Sequence, residues 1–327
     1  MTNRFVYDRT IHALYATLEQ PLGKQLSAIL GVRLEDTVLH TNQVTSGLTS
    51  RASYLRLYPT LHLQYDLSPS STLRLSYSHR VARPEPEDLN PYPEFQDPQN
   101  VREGNPGLLP QETHSLEAGY EYERGGTSLG ATLYLRKNYN GFTEVSRFIS
   151  PTALLTTREN LGKSSSAGIE FSARGNLSPL LSYNLSGNVF YNQIDASNFG
   201  LLGQRSTYSF SAKASADYKV SRNDFLQVSG TYNGKRLTPQ GYRLPVGVLN
   251  LGYRHQLRRD LSVVVSIADL LDSQRDRTII ETPLLNDLVT RRRSSRTASV
   301  ALSWNFGGAV KVKEPQFDYA SENNSGS

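Results

Sequence analysis

The sequence predicts an all-β protein: an antiparallel transmembrane β-barrel of about 13–14 strands. Three observations predict it. Long segments alternate apolar and polar residues with a period of two. Their connectors alternate between very short and long. No segment approaches the roughly 20 consecutive apolar residues that a membrane helix needs, so any span must be β.

Composition alone points elsewhere. Of 327 residues, 37% are hydrophobic and 20% charged, and the mean hydropathy is −0.47, as in many water-soluble chains. A barrel wall reconciles these values with a membrane, because lipid-facing and lumen-facing residues alternate and average out. The net charge of +5 is spread along the chain and not striped with stacking aromatics, which argues against nucleic acid. The absence of cysteine fits passage through an oxidising periplasm but does not demand it. Thr2, Asn3 and Arg4 follow Met1 without an apolar segment or cleavage site, so the sequence reads as the later part of a longer chain.

Taken in order, strands are expected at about 4–19, 25–39, 51–66, 72–81, 112–123, 127–145, 155–176, 180–193, 205–219, 224–236, 243–257, 261–281 and 290–306. Short turns at Pro21–Lys24 and Ser68–Ser71 close the first two hairpins. Between Glu112 and Tyr122, Leu116, Ala118, Tyr120 and Tyr122 share one face, and Ser115, Glu117, Gly119 and Glu121 the other. After the Arg124–Gly126 turn, Leu129, Ala131, Leu133 and Leu135 alternate with Ser128, Gly130, Thr132 and Arg136. Beyond Leu177–Pro179, Leu185, Gly187 and Val189 alternate with Asn184, Ser186 and Asn188. Tyr208 to Tyr218 repeats the pattern, and Ser221–Asn223 leads to Leu226, Val228, Gly230 and Tyr232. After Arg258–Asp260 the last run places Val300, Leu302, Trp304 and Phe306 on one face.

Soluble strands also alternate, but they cluster near five or six residues, whereas these runs reach the roughly 9–11 residues of a tilted span. Charges are expected in the polar phase, since a midplane lysine or arginine facing lipid costs about 2–4 kcal/mol. Tyr65, Tyr122, Tyr183, Tyr218, Phe225 and Tyr253 stand beside the short turns, as an aromatic girdle would. Thirteen strands ending at the periplasm must begin outside. An even count for the barrel therefore implies strands upstream, unless one strand is miscounted and the chain is a fourteen-stranded barrel.

The most specific stretches are LRLSYSHRVARPEPEDLNPY from Leu73, DPQNVREGNPGLLPQETHSLEAGYEYE from Asp97 and ENLGKSSSAGIEFSARG from Glu159. Prolines 84, 86, 91, 93 and 98 cannot donate to a ladder and impose an extended external loop. Asn105-Pro106-Gly107 turns the chain back into the strand near Glu112. Arg83, Pro84, Leu89, Asn90, Pro91, Gly104, Asn105, Pro106, Pro110, Glu112, Asn160, Gly162, Gly168 and Glu170 occur in an order that resembles the outer-membrane β-barrel family related to TonB-dependent receptors. Gln111 departs from that pattern, standing where the family has an acidic residue.

The resemblance implies that residues 1–308 are the C-terminal part of a barrel of about 22 strands in the cell outer membrane. A complete member would carry a plug, would contact the TonB complex through it, and would import a scarce nutrient such as an iron chelate, cofactor or glycan. The alternative is a plug-less pore or structural barrel. Residues 309–327, polar and Gly/Ser-ended, are expected to be a disordered periplasmic tail.

Candidate ligand-binding residues of the external loop are Arg83, Glu85, Asp88, Asn90, Tyr92, Arg102 and Asn105. Candidate lumen-wall charges are Arg74, Glu117, Arg136, Glu170 and Arg174, with both glutamates expected to pair with Arg74, Arg136 or Arg174. Arg291, Arg292, Arg293 and Arg296, with Arg275 and Arg277 opposite, could meet lipopolysaccharide phosphates or an anionic ligand. Membrane lipid, lipopolysaccharide and a small chelate are the expected partners. No cofactor, metal or catalytic residue is expected: the six histidines lack ligand spacing, no hydrolase or nucleotide fingerprint occurs, and only His79 near Asp88 suggests a pair.

Overall fold

The computed structural model describes residues 2–197, 203–292 and 296–306. The chain opens with four long strands, β1 (Phe5–Pro21), β2 (Leu26–Gln43), β3 (Leu48–Ser68) and β4 (Ser71–Ala82). An external excursion follows, made of helix α1 (Pro86–Leu89) and the short strands β5 (Glu94–Asp97) and β6 (Asn100–Arg102). The wall resumes with β7 (Gln111–Arg124), β8 (Thr127–Phe148), β9 (Leu154–Ser178), β10 (Leu181–Asp195), β11 (Gln204–Lys219) and β12 (Asp224–Asn233). A second excursion contains β13 (Arg236–Thr238) and β14 (Gly241–Arg243). After β15 (Val246–Arg258) and β16 (Leu261–Ala268), the external strands β17 (Asp276–Glu281) and β18 (Asn286–Arg291) precede the last wall strand, β19 (Thr297–Trp304).

The hydrogen-bonded wall runs β1-β2-β3-β4-β7-β8-β9-β10-β11-β12-β15-β16-β19, each pair antiparallel. Among the described residues β1 and β19 each pair on one side only, so the wall is an open sheet. The six short turns read from the sequence lie at one end, and the excursions lie at the other, where a four-residue turn also joins β2 to β3.

Register turns the period-two pattern into rows. One row joins Leu116, Leu135, Ala167, Tyr191 and Tyr208 across five strands, and the row below joins Ala118, Leu133, Ile169, Val189 and Phe210. These outward side chains stay exposed in the isolated chain, Leu133 at 57% and Tyr208 at 79%, because lipid is their solvent. The next row down places Gly187 beneath Phe171. A Cβ on Gly187 would lie 2.2 Å from the ring's Cζ, so only glycine seats that ring.

The β3–β4 ladder stops at Thr60–Ser78, although both strands continue. Beyond it the polar-phase side chains of β3 meet the ends of β4 and β7. Tyr58 packs edge-on to His79 at 5.2 Å, and Arg56 donates to Glu112 at 2.8 Å. This interlocking keeps the seam closed without a backbone ladder.

Several expectations need correction. The run expected over 261–281 breaks after Ala268, because Asp269 takes a left-handed backbone (φ 51°) and its buried carboxylate accepts from the backbone amides of Ser273 and Gln274. The segment 276–281 joins a separate four-stranded sheet, β13-β14-β17-β18. The last wall strand begins at Thr297, not 290. Phe225 belongs to the polar phase opposite Lys219, with Arg254 over its ring at 4.3 Å, and so is no part of the girdle. Charges are not confined to the polar phase either, since Lys137 stands in line with Leu133 and Leu135. The expected tail and Arg293 lie outside the described residues.

Candidate functional site

The external excursion after β4 is anchored from its first residue. Arg83 donates to the Tyr54 hydroxyl at 3.1 Å, to Thr37 Oγ1 at 3.3 Å and to the Glu35 carboxylate, which Arg33 also holds at 2.5 Å. Glu35 and Thr37 are buried, so Arg83 neutralises a carboxylate that could not stand alone there. The Glu85 amide donates to the Asp88 carboxylate at 3.3 Å across the first turn of α1, and Pro86 opens the helix, where a missing N–H costs nothing. Leu89 is fully buried.

From α1 the loop reaches two distant strands. Asn90 Oδ1 accepts from Gln43 Nε2 on β2 at 2.7 Å, and Asp88 pairs with Arg158 on β9 at 2.9 Å. Asn105 donates to the Arg158 carbonyl at 3.1 Å and accepts from the Gly107 amide at 2.9 Å. Gly104 passes so close to residues 88 and 90 that a Cβ would lie 2.7 Å from their backbone atoms. Asn160 closes the loop by accepting from the Leu109 amide at 2.8 Å and donating to the carbonyls of Leu109 and Asn140. The order of the motif, Asn90, Gly104, Asn105, Asn160, is therefore a clasp.

The clasp has a second component. β5 and β6 form a small hairpin, and β6 pairs parallel with the outer end of β9, Asn100 to Arg102 against Leu154 to Thr156. At the hairpin tip Asp97 accepts from the Asn100 side chain and the amides of Gln99 and Asn100. The Asn100 amide group, foremost, holds its carboxyl below the usual range. Five ladder steps separate β2 from β9, so the loop is a chord across the polar side of the wall.

The seven loop candidates thus divide. Arg83, Asp88, Asn90 and Asn105 are committed to these internal bonds. Glu85 and Arg102 are exposed, and Arg102 stands opposite Glu94. The Tyr92 amide donates to Asn90 Oδ1 at 3.2 Å, and the residue is half-buried.

Sequence reasoning missed Glu35, Gln43 and Arg158 as partners. The Arg33-Leu34-Glu35 alternation and the nearness of Arg158 to the Asn160 motif were the available signals. His79 bonds Glu112 at 3.0 Å and Asp88 bonds Arg158, so the pairing suggested for them does not form.

Lumen-wall charges are also selective. Arg136 bonds Glu117 at 3.1 Å and Glu170 at 3.4 Å and lies over the Tyr134 ring at 4.3 Å. Of the three arginines expected to serve these glutamates, only Arg136 does. Arg74 reaches Glu121 at 2.6 Å, and Arg174 reaches Glu123 at 3.8 Å. Strand register decides this, because Arg136 on β8 opposes Ser115 of β7 and Ser166 of β9, one same-face step from Glu117 and two from Glu170.

The second external sheet is tied to the first excursion's side of the wall. Gln240 Oε1 accepts from the Ser146 amide and Gln240 Nε2 donates to the Ser146 carbonyl, both at 2.7 Å. Arg292 binds Asp272 with two bonds, at 2.6 and 2.7 Å, and this guanidinium, more than any other group, holds the Asp272 carboxyl below its ordinary range. Arg291 reaches Glu144 at 3.7 Å. Among the described residues no group of three or more His, Cys, Asp or Glu is placed to hold a metal ion.

A family model described as the outer membrane protein beta-barrel family matches residues 1–304. No curated protein sequence matches the chain. Among solved structures it is similar to the copper transporter OprC, with TM-score 0.67 and 14% identity over 92% of this chain and 48% of that one. It is also similar to the ferric yersiniabactin uptake receptor FyuA from Yersinia pestis, with TM-score 0.65 and 14% identity over 93% and 46%. The ferric-catecholate import receptor Fiu from K12 E. coli gives 0.64 and 14% over 92% and 45%. The chain thus spans about half the length of each, and at these identities the likeness is one of fold.

Proposed function

The chain belongs to the outer membrane protein beta-barrel family and is seated in the outer membrane; from that premise we propose that it forms the C-terminal wall and part of the outer binding surface of a TonB-dependent receptor. The imported nutrient is a small scarce compound such as an iron chelate, a cofactor or a glycan. Coupling to the TonB complex runs through a plug that the described wall and loops do not include.

The observation that carries this reading is the clasped loop. A segment that needs only to join two strands has no use for an Asp88–Arg158 ion pair, a parallel strand on β9 and a glycine threaded between backbone atoms. Such fixing spends conformational entropy, which a receptor regains as a preorganised ligand surface. Glu85 and Arg102, exposed on this chord, are the ligand contacts, together with the aromatic ring of Tyr92. The four committed residues set their geometry. The lumen charges brace neighbouring strands of the wall, with Arg136 bridging Glu117 and Glu170.

The test uses cells expressing the full-length gene product. Uptake of labelled ferric chelates and cofactors should require TonB and fall when Glu85 and Arg102 are replaced together, while the folded barrel persists on unheated gels. Reconstituted in a planar bilayer, the protein should remain closed. Steady conductance with uptake independent of TonB would instead identify a passive pore.

A further inference from the structure

On the outward face of the wall, β7, β8 and β9 line a groove of about 400 Å³. Its floor lies between Leu135 and Tyr191, where Ser165 and Ala167 are too small to fill the surface. Tyr77 and His114 form one bank and are bonded to each other, hydroxyl to Nδ1, at 2.9 Å. Register places Leu135 and Ala167 in the last apolar row and His114, Lys137 and Ser165 in the row above it. The groove therefore straddles the boundary between acyl chains and headgroups.

Lys137 stands at that boundary and lines the groove. It is exposed, and its ammonium lies 5.6 Å from the centre of the Tyr139 ring. Neither cross-strand neighbour, His114 nor Ser165, is acidic. In the row above, Glu112 is occupied by Arg56 and His79, and Asp195 lies opposite Lys163. Among the described residues Lys137 is thus a cation without an acidic partner on the lipid-facing phase, at the depth where lipid phosphates lie. Below it a second outward groove, of about 560 Å³, continues the track past Leu133 and Ile169.

We infer that this groove holds a phosphorylated lipid of the outer leaflet. The ammonium of Lys137 takes the phosphate, and an acyl chain lies over Ala167 and descends towards Ile169. The site rests on the outer-membrane location and is independent of what the barrel transports. An aliphatic stem of four carbons lets Lys137 lie along the groove with its head in the phosphate layer.

The experiment is native mass spectrometry of the full-length protein in detergent, titrated with bisphosphorylated lipid A and, separately, with its dephosphorylated form. Lys137→Gln should bind the phosphorylated lipid about fivefold more weakly and the dephosphorylated lipid as the parent does. Lys137→Arg should restore affinity. Ala167→Phe, which fills the groove floor, should weaken both lipids, and inorganic phosphate should not displace bound lipid. Unheated gels confirm that each variant is folded. Equal binding of the phosphorylated lipid by the parent and Lys137→Gln would overturn the proposal, leaving Lys137 an interfacial cation only. Full binding by Ala167→Phe, or displacement by free phosphate, would overturn it equally, because the acyl track would then have no part.

Discussion

Replacing Arg83 tests the anchoring of the external loop. In the structure Arg83 makes three hydrogen bonds, one to the buried carboxylate of Glu35, and its side chain is 15% exposed. Truncating one partner of a buried ion pair typically costs about 3–5 kcal/mol. Arg33 remains on Glu35 at 2.5 Å, so the carboxylate is not orphaned, and Arg33 is 46% exposed and thus a weaker partner. Arg83→Ala is therefore expected to cost the loop about 2–3 kcal/mol, from one ion-paired bond and two charge-assisted bonds to hydroxyls, partly compensated by Arg33. That is roughly a 30- to 150-fold rise in the open population of the loop. Hydrogen exchange followed by mass spectrometry reads it directly. Peptides covering 84–110 should exchange faster by this factor, whereas peptides in β7 to β10 should not change. Arg83→Lys, which keeps charge but not the guanidinium fork, should fall between. If Arg83→Ala leaves loop exchange unaltered, the residue is no anchor, and the division of the loop into committed and free side chains fails.

Gly187→Ala would bring the new Cβ within 2.2 Å of the Phe171 ring, which is exposed to lipid and should turn outward at about 0.5–1.5 kcal/mol for an off-rotamer side chain, read as a slightly lower urea midpoint for folding into vesicles. Gln240→Ala leaves the amide and carbonyl of the nearly buried Ser146 without partners and should cost about 1–3 kcal/mol, seen as faster exchange in 236–243 with the wall unaffected. Asp272 titrates below its ordinary range when folded, so its contribution is present above that range and is lost as pH falls through the depressed value. Protease sensitivity of 269–292 should therefore rise in acid, and Asp272→Asn should show it already at neutral pH.

What the sequence disclosed depended on the solvent of each segment. Where one face meets lipid, the period-two code is enforced residue by residue, and all thirteen wall strands and six short turns were legible. Outside the membrane that constraint lapses. The alternation through Thr278 to Ile280 resembles a wall strand, yet Asp269 diverts the chain first, and only the Asp-Leu-Leu-Asp-Ser pattern hinted at the turn. The parallel β6–β9 pairing and the sheet assembled from 236–243 and 276–291 join segments far apart in sequence, so no local pattern encodes them. Phe225 was misplaced because nearness to a short turn says nothing about phase; its neighbour Leu226 faces Tyr253 and keeps the lipid side. At the site, the motif order was readable, but the role of each residue was not. Asn90 and Asn105 look alike as ligand donors and as clasps until Gln43 and Arg158 are seen against them.

The pairing of β6 with β9 also fixes a sequence of events. Residues 100–102 find their strand partner only at 154–156, after β7 and β8 have intervened. Closing that separation is entropically expensive until the β8–β9 hairpin already stands. A wall stopped at β8 would leave residues 100–102 without their strand partner and Asp88 without Arg158, while Arg83 and Asn90 would still hold β2. The hairpin of β5 and β6 is thus the last part of this loop to be fixed, once β9 is in place.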